Sequence, residues 1–248
     1  MSDDILSRRE GSFLRITLNR PESGNAMSDD MARELTRLLT SAGADSDFVL
    51  LEGAGADFCI GRASMGRAPA PGAGRPEALE RREQMEVVFD CYAAFRRCAV
   101  PVIGVVRGRA LGFGCAIASL CDITFASTEA RFQVPEMTHN IMPTMVMSAL
   151  VDRLSAKAIA YLVYSTDLID AQQAVGFGIA SRAVPPEALA QAEKDLCARL
   201  AATPRPALTG VKEYLRTAHD MALPGAVDFA RSLHAVVNSS SQMRREQK

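Results

Sequence analysis

The chain has 248 residues, 28 Lys and Arg against 29 Asp and Glu, and a net charge of −1. That length suits one sizeable core or a core with a small appendage, and the charge balance offers no bulk attraction to nucleic acid or an anionic membrane. No run approaches the roughly eighteen apolar residues of a spanning helix, and Met1-Ser2-Asp3-Asp4 lacks the basic-then-apolar layout of a signal peptide, so a cytoplasmic protein is expected. Six cysteines (59, 91, 98, 115, 121 and 197) show no C-x-x-C spacing and several lie in apolar runs. They are expected to be buried, reduced thiols rather than disulfide partners, and three scattered histidines argue against a zinc site.

In chain order, Leu14, Ile16 and Leu18 alternate as in a half-buried strand over residues 12–19, and a loop follows at 21–24. Ser28, Asp29 and Asp30 make a helix start, after which Met31, Leu35, Leu38 and Leu39 share one face. Residues 48–51 read as a buried strand ended by Gly53-Ala54-Gly55. The stretch 64–84, rich in Pro and Gly, is expected to be a mobile loop, with a helix running from Glu77 through Phe95. Val102 to Val106 is a β-branched run, a buried strand broken by Gly108. The small apolar segment 110–118 then reads as a tight turn feeding a buried helix. A strand at 123–126 follows, and a third apolar segment, 131–135, delivers Glu136. Helices are expected at 145–154 and from 156 towards 164, then a turn and strand over 176–184. From Pro185 the chain reads as helical over 187–202, 207–218 and 225–237, with a frayed polar end.

Three ordered motifs carry a resemblance. PVIGVVRGRALGFGCAIASLCDITFASTEARFQVPE is similar to the signature segment of the enoyl-CoA hydratase/isomerase, or crotonase, superfamily. Asn19-Arg20-Pro21 through Asn25-Ala26-Met27 resembles that family's N-R-P-x-x-x-N-A-L. Residues 55–64 resemble its G-x-x-F-S-A-G-A-D-L. The resemblance implies an α/β crotonase-like spiral of repeated ββα units over 1–185, holding the acyl-CoA site. It also implies a helical C-terminal section, 186–248, that packs homotrimers or hexamers; Asp170 to Ala174 looks like the family's D-A-x-x-A helix.

The same resemblance implies the chemistry. Two backbone N–H groups, carried over to Arg62 and Phe113, would form an oxyanion hole for a thioester enolate. Both positions usually hold Ala or Gly. Here either Phe113 reshapes the pocket and Arg62 brings a cation beside it, or both side chains turn into packing or solvent. CoA would lie against Ser23, Asn25 and Ala26 and against Phe58, Ile60, Arg62 and Ala63, largely through backbone, as a substrate carrier with no further cofactor. Family hydratases use two glutamates; the first position is Ala116 here, leaving only Glu136. One carboxylate suffices for a 3-enoyl to 2-enoyl shift, so an isomerase with Glu136 as base is the leading expectation. Glu136 could equally be a helix-start residue answering the dipole. His139 sits where the family is normally apolar or Gly-rich. It is either a second catalytic group, opening hydration or hydrolysis, or an ordinary surface or core histidine. A CoA-binding protein without turnover is the alternative from another class. Asp122 reads as structural, a polar residue opening a strand.

Overall fold

The computed structural model describes residues 3–63 and 77–244. The strands β1 (Ile5–Glu10) and β2 (Phe13–Leu18) form an antiparallel hairpin. A 3-10 turn, Pro21–Ser23, leads to α1 (Asp29–Ala42), where Ser28 Oγ accepts the Met31 N–H at 3.2 Å as an N-cap. Met31, Leu35, Leu38 and Leu39 are buried along it, as the helical spacing requires. Then come β3 (Phe48–Gly53), α2 (Ala78–Arg97), β4 (Val102–Val106), β5 (Arg109–Leu111) and α3 (Phe113–Leu120). They are followed by β6 (Ile123–Ser127), β7 (Arg131–Gln133), a 3-10 turn at Glu136–His139, α4 (Thr144–Leu150) and α5 (Ala156–Ser165). The chain closes with β8 (Ile169–Asp170), α6 (Ala171–Phe177), β9 (Arg182–Val184), α7 (Pro186–Ala201), α8 (Arg205–Ala218) and α9 (Leu223–Ser239). The loop expected over 64–84 falls at 64–76 outside the described residues, and its remainder is mostly the start of α2.

Two sheets result. One has the order β1-β2-β3-β4-β6-β9, parallel except for the first pair; the other has the order β5-β7-β8. Successive turns of chain, β4-β5-α3 and then β6-β7 with α4, each place one strand in each sheet before a helix. This is the ββα spiral expected from the sequence.

The large sheet is covered on both faces, which explains its unbroken apolar strands. On β3, Val49 and Leu51 face the main core with Leu35, Phe95 and Ile117. Phe48 and Leu50 face a second cluster, closed by Leu189, Leu196 and Cys197 of α7. Three strands escaped the sequence reading: β1, β5 and the two-residue β8. β1 (ILSRRE) has little apolar patterning because it is an edge held by backbone pairing to β2. β5 has three residues, too few to show a period.

Helix α8 is tied to the core through Lys212, 4% exposed. Its Nζ donates to both Asp122 oxygens, at 2.8 and 2.7 Å, and to the Phe95 carbonyl at 3.0 Å. Asp122 Oδ2 also accepts the Val102 N–H at 2.7 Å. Asp122 therefore links β4 to α8 as well as opening β6. No described helix is long and apolar enough to cross a membrane.

Candidate active site

The geometry follows from one row of aligned residues. Cys59 bridges Ala110 in parallel, and Ala110 pairs with Phe132 in the parallel β5–β7 register. Three chain segments thus leave one edge of the small sheet in the same direction. Three residues past the row, the first reaches Arg62 and the second reaches Phe113; four residues past it, the third reaches Glu136. The C-terminal ends of parallel strands are where open α/β sheets place ligands.

Each of the two backbone positions follows a glycine with positive φ, Gly61 at 116° and Gly112 at 50°. These conformations aim the next N–H in a direction that residues with a side chain rarely permit. Phe113 is the first residue of α3, where an N–H has no intrahelical acceptor. Among the described residues, neither the Arg62 nor the Phe113 N–H donates to a backbone acceptor outside the helices and strands. The flanking groups are engaged: the Met27 N–H donates to Gly61 O at 2.8 Å, the Ala63 N–H to Met27 O at 2.9 Å, and the Gly112 N–H to Gln133 O at 2.9 Å. Gly114 lets the first turn of α3 close on the Cys59 segment, since a Cβ there would lie 2.0 Å from Cys59 O.

Both large side chains are engaged by neighbouring elements. Arg62 Nη2 donates to Asp29 Oδ1 at 2.5 Å, at the start of α1, and Nη1 lies 3.9 Å from Met85 Sδ. Phe113 is 2% exposed, its ring 5.2 Å from that of Tyr92. The Arg62 side chain is thus held in an ion pair and the Phe113 ring in packing.

Glu136 is 5% exposed, and its Oε2 has no hydrogen-bond partner. Burial pushes its carboxyl pKa up from the ordinary value, against a smaller lowering by its own backbone N–H. A buried carboxylate oxygen without a partner is unusual enough to need a reason, and a shifted pKa in such a place fits acid–base work. Ala116, fully buried on α3, offers only a methyl where a second carboxylate would stand. The thiols nearby are no substitute. Burial holds Cys59, Cys91 and Cys115 up to about 12, so all three stay protonated near neutral pH. All six cysteines are free and buried.

His139 lies on the same 3-10 turn but is exposed, and no described hydrogen bond joins it to Glu136. The residues carried over for CoA fall into two groups. Ser23, Ala26, Ile60, Arg62 and Ala63 are partly exposed, whereas Asn25 and Phe58 are fully buried. The Asn25 side chain is fully used in stapling two loops. Its Oδ1 accepts the Arg20 N–H at 2.8 Å, and its Nδ2 donates to Ala54 O at 2.9 Å and Asp57 O at 2.7 Å. The Phe58 N–H donates to Arg109 O at 3.1 Å. Asp57 accepts from the Arg109 backbone and guanidinium, which holds its carboxyl below the ordinary range. These two residues shape the loops rather than their surface. The clamp from Asp29 to Arg62 and the tilted contact of Tyr92 with Phe113 leave no local signal in sequence, because each joins residues far apart in the chain.

A spiral of this kind, with two glycine-directed N–H groups beside a buried carboxylate, is a layout for gripping a carbonyl while moving a proton next to it. A family model described as enoyl-CoA hydratase/isomerase matches residues 8–247. The chain is 30% identical over 239 residues to the 2,3-dehydroadipyl-CoA hydratase of Escherichia coli, covering 96% of this chain and 91% of that one. It is 29% identical over 250 residues to the 1,2-epoxyphenylacetyl-CoA isomerase of the same organism, covering 98% and 94%. A solved enoyl-CoA hydratase of Mycobacterium smegmatis matches with a TM-score of 0.88 at 25% identity, over 96% of this chain and 92% of that one. The protein belongs to the enoyl-CoA hydratase/isomerase family and is an enzyme of that family.

Proposed function

We propose that the protein moves a double bond in an enoyl-CoA, from the 3-enoyl to the 2-enoyl thioester, with Glu136 as its base. The observation that carries this reading is the one buried carboxylate among the described residues, with an unpartnered oxygen and Ala116 in the second acidic position. Glu136 takes a proton from C2. The electron pair delocalises through the thioester into a dienolate, whose oxygen the Arg62 and Phe113 N–H groups grip. The same carboxyl then returns the proton at C4, moving the double bond into conjugation. Each backbone donor contributes roughly 3 kcal/mol when charge develops on that oxygen. The CoA nucleotide lies over the loops at 23–26 and 58–63, on Ser23, Ala26, Ile60 and Ala63, with Asn25 and Phe58 holding those loops in shape. The helical section after residue 185 joins protomers into a trimer or hexamer; exposed Val211, Leu215 and Val236 on α8 and α9 support such an assembly.

The test follows a 3-enoyl-CoA and a 2-enoyl-CoA separately, with wild type beside Glu136→Gln. Conversion of the 3-enoyl ester is expected, reduced by about 10²–10⁴-fold in the Gln variant. If Glu136→Gln isomerises as fast as wild type, the carboxylate is not the base. The acid limb of the wild-type pH profile should lie above the ordinary glutamate value of 4.5, since the base must be ionised and burial raises its pKa.

A further inference from the structure

One of the two donor positions carries a cation that the double-bond shift does not use. Arg62 acts through its main-chain N–H, yet its guanidinium sits on a side chain only 13% exposed. Among the described residues its one carboxylate partner is Asp29, at 2.5 Å, in the first turn of α1, where the helix terminus favours negative charge. Met85 Sδ, 3.9 Å from Nη1, does not answer the charge. Met27, two residues before Asp29, pairs with the Arg62 backbone, so one short segment holds both the main chain and the side chain of this residue. The small-sheet register brings the Arg62 and Glu136 segments to the same edge. Glu136 Oε2 is unpartnered, and burial raises the carboxyl pKa with no neighbouring cation drawing it down. The groups that feel its charge, the Tyr92 phenol on α2 and the Cys115 thiol on α3, are both kept protonated by burial. His139 on its own turn is exposed, as is Lys157, the one charged residue of α5, which packs against that turn. A little-exposed guanidinium and a buried, unpartnered carboxylate gain most from each other, because pairing offsets a desolvation cost on both. Glu83 and Asp90, which line the same cavity as Asp29, are exposed and hydrated and gain less. What holds Arg62 apart from Glu136 is therefore its existing partner.

We infer that Asp29 is a positioning residue that keeps the base free: it holds the Arg62 cation at the start of α1, and without it the guanidinium pairs with Glu136. The inference rests on the reading of Glu136 as base. Asp29 touches neither substrate nor the reacting proton and acts only through Arg62. An ion pair between Arg62 and Glu136 would occupy the oxygen that must take the proton from C2, and would weaken it as a base. A cation at position 62 is thus tolerated beside this carboxylate because a second carboxylate, outside the site, already claims it.

The experiment follows isomerisation of a 3-enoyl-CoA across pH by wild type, Asp29→Asn, Asp29→Asn combined with Arg62→Met, and Glu136→Gln. Methionine at 62 removes the cation and keeps the main-chain N–H, and melting temperatures check each fold. Asp29→Asn is expected to lose about tenfold in kcat with KM within about threefold of wild type. Its acid limb should move to lower pH, because an adjacent cation favours the ionised carboxylate. Adding Arg62→Met should recover most of the lost rate and return the acid limb towards its wild-type position. A rate loss with an unmoved acid limb, or one that Arg62→Met does not recover, would mark the pair as merely structural. No loss in Asp29→Asn would mean that Arg62 settles elsewhere, and any of these results overturns the inference. Glu136→Gln with undiminished isomerisation would instead sink the proposed function, and with it the base that Asp29 keeps free.

Discussion

At the residue scale, the decisive features are what each side chain does with its charge. Glu136 was legible because a Pro-Glu pair follows a short apolar strand, but its unpartnered oxygen was not, since that depends on which turns of the spiral close around it. His139 shows the opposite limit. Its distance from Glu136 in sequence suggested partnership, yet a 3-10 turn can bury its first residue and expose its last. The raised pKa of Glu136 carries a stability consequence. The folded state holds this proton more tightly than the unfolded chain does, so the protonated form is favoured in the fold. Stability is therefore lost as pH rises from 4.5 through the higher folded-state value. Glu136→Gln removes the charge and should raise the melting temperature relative to wild type at pH 8, the gap narrowing below pH 4.5. Thermal melts across that range check it, and a gap independent of pH would mean that burial of the charge costs the fold nothing.

At the scale of elements, the long apolar runs and capped helices were plain in sequence, because period and capping are local properties. The strands β5 and β7 were not recognised as paired, since three residues carry no period; their pairing comes from the spiral. Yet these two strands set the register that brings Arg62, Phe113 and Glu136 together. The contact between Gly114 and Cys59 O guards that register. Gly114→Ala should destabilise the protein by roughly 1–3 kcal/mol through overpacking against backbone, and lower activity with it. Gly176 in α6 is the control: an added Cβ meets nothing within 4 Å, so Gly176→Ala should stabilise by about 0.5–1 kcal/mol. Denaturant melts of the two variants separate close approach from simple helix propensity.

For the whole molecule, the spiral class and the helical C-terminal part were readable from the order of motifs and the apolar periods. How the two parts are joined was not. Lys212 looks like any helix-surface lysine until Asp122, ninety residues earlier, is placed beneath it. Breaking a buried pair strands the other charge, so Lys212→Ala should cost roughly 3–5 kcal/mol and expose α8 amides to hydrogen exchange before those of β4. Equal protection of both after the substitution would show that α8 is held by its apolar contacts alone. The proposed oxyanion donors have a different vulnerability. Because Arg62 and Phe113 point their side chains into packing and would act through main-chain N–H, an alanine scan passes over both as ordinary residues. Proline, which deletes the hydrogen itself, is the only genetically encoded residue that would silence either donor. The most demanding part of the chemistry is thus written in a script that most mutational surveys cannot read.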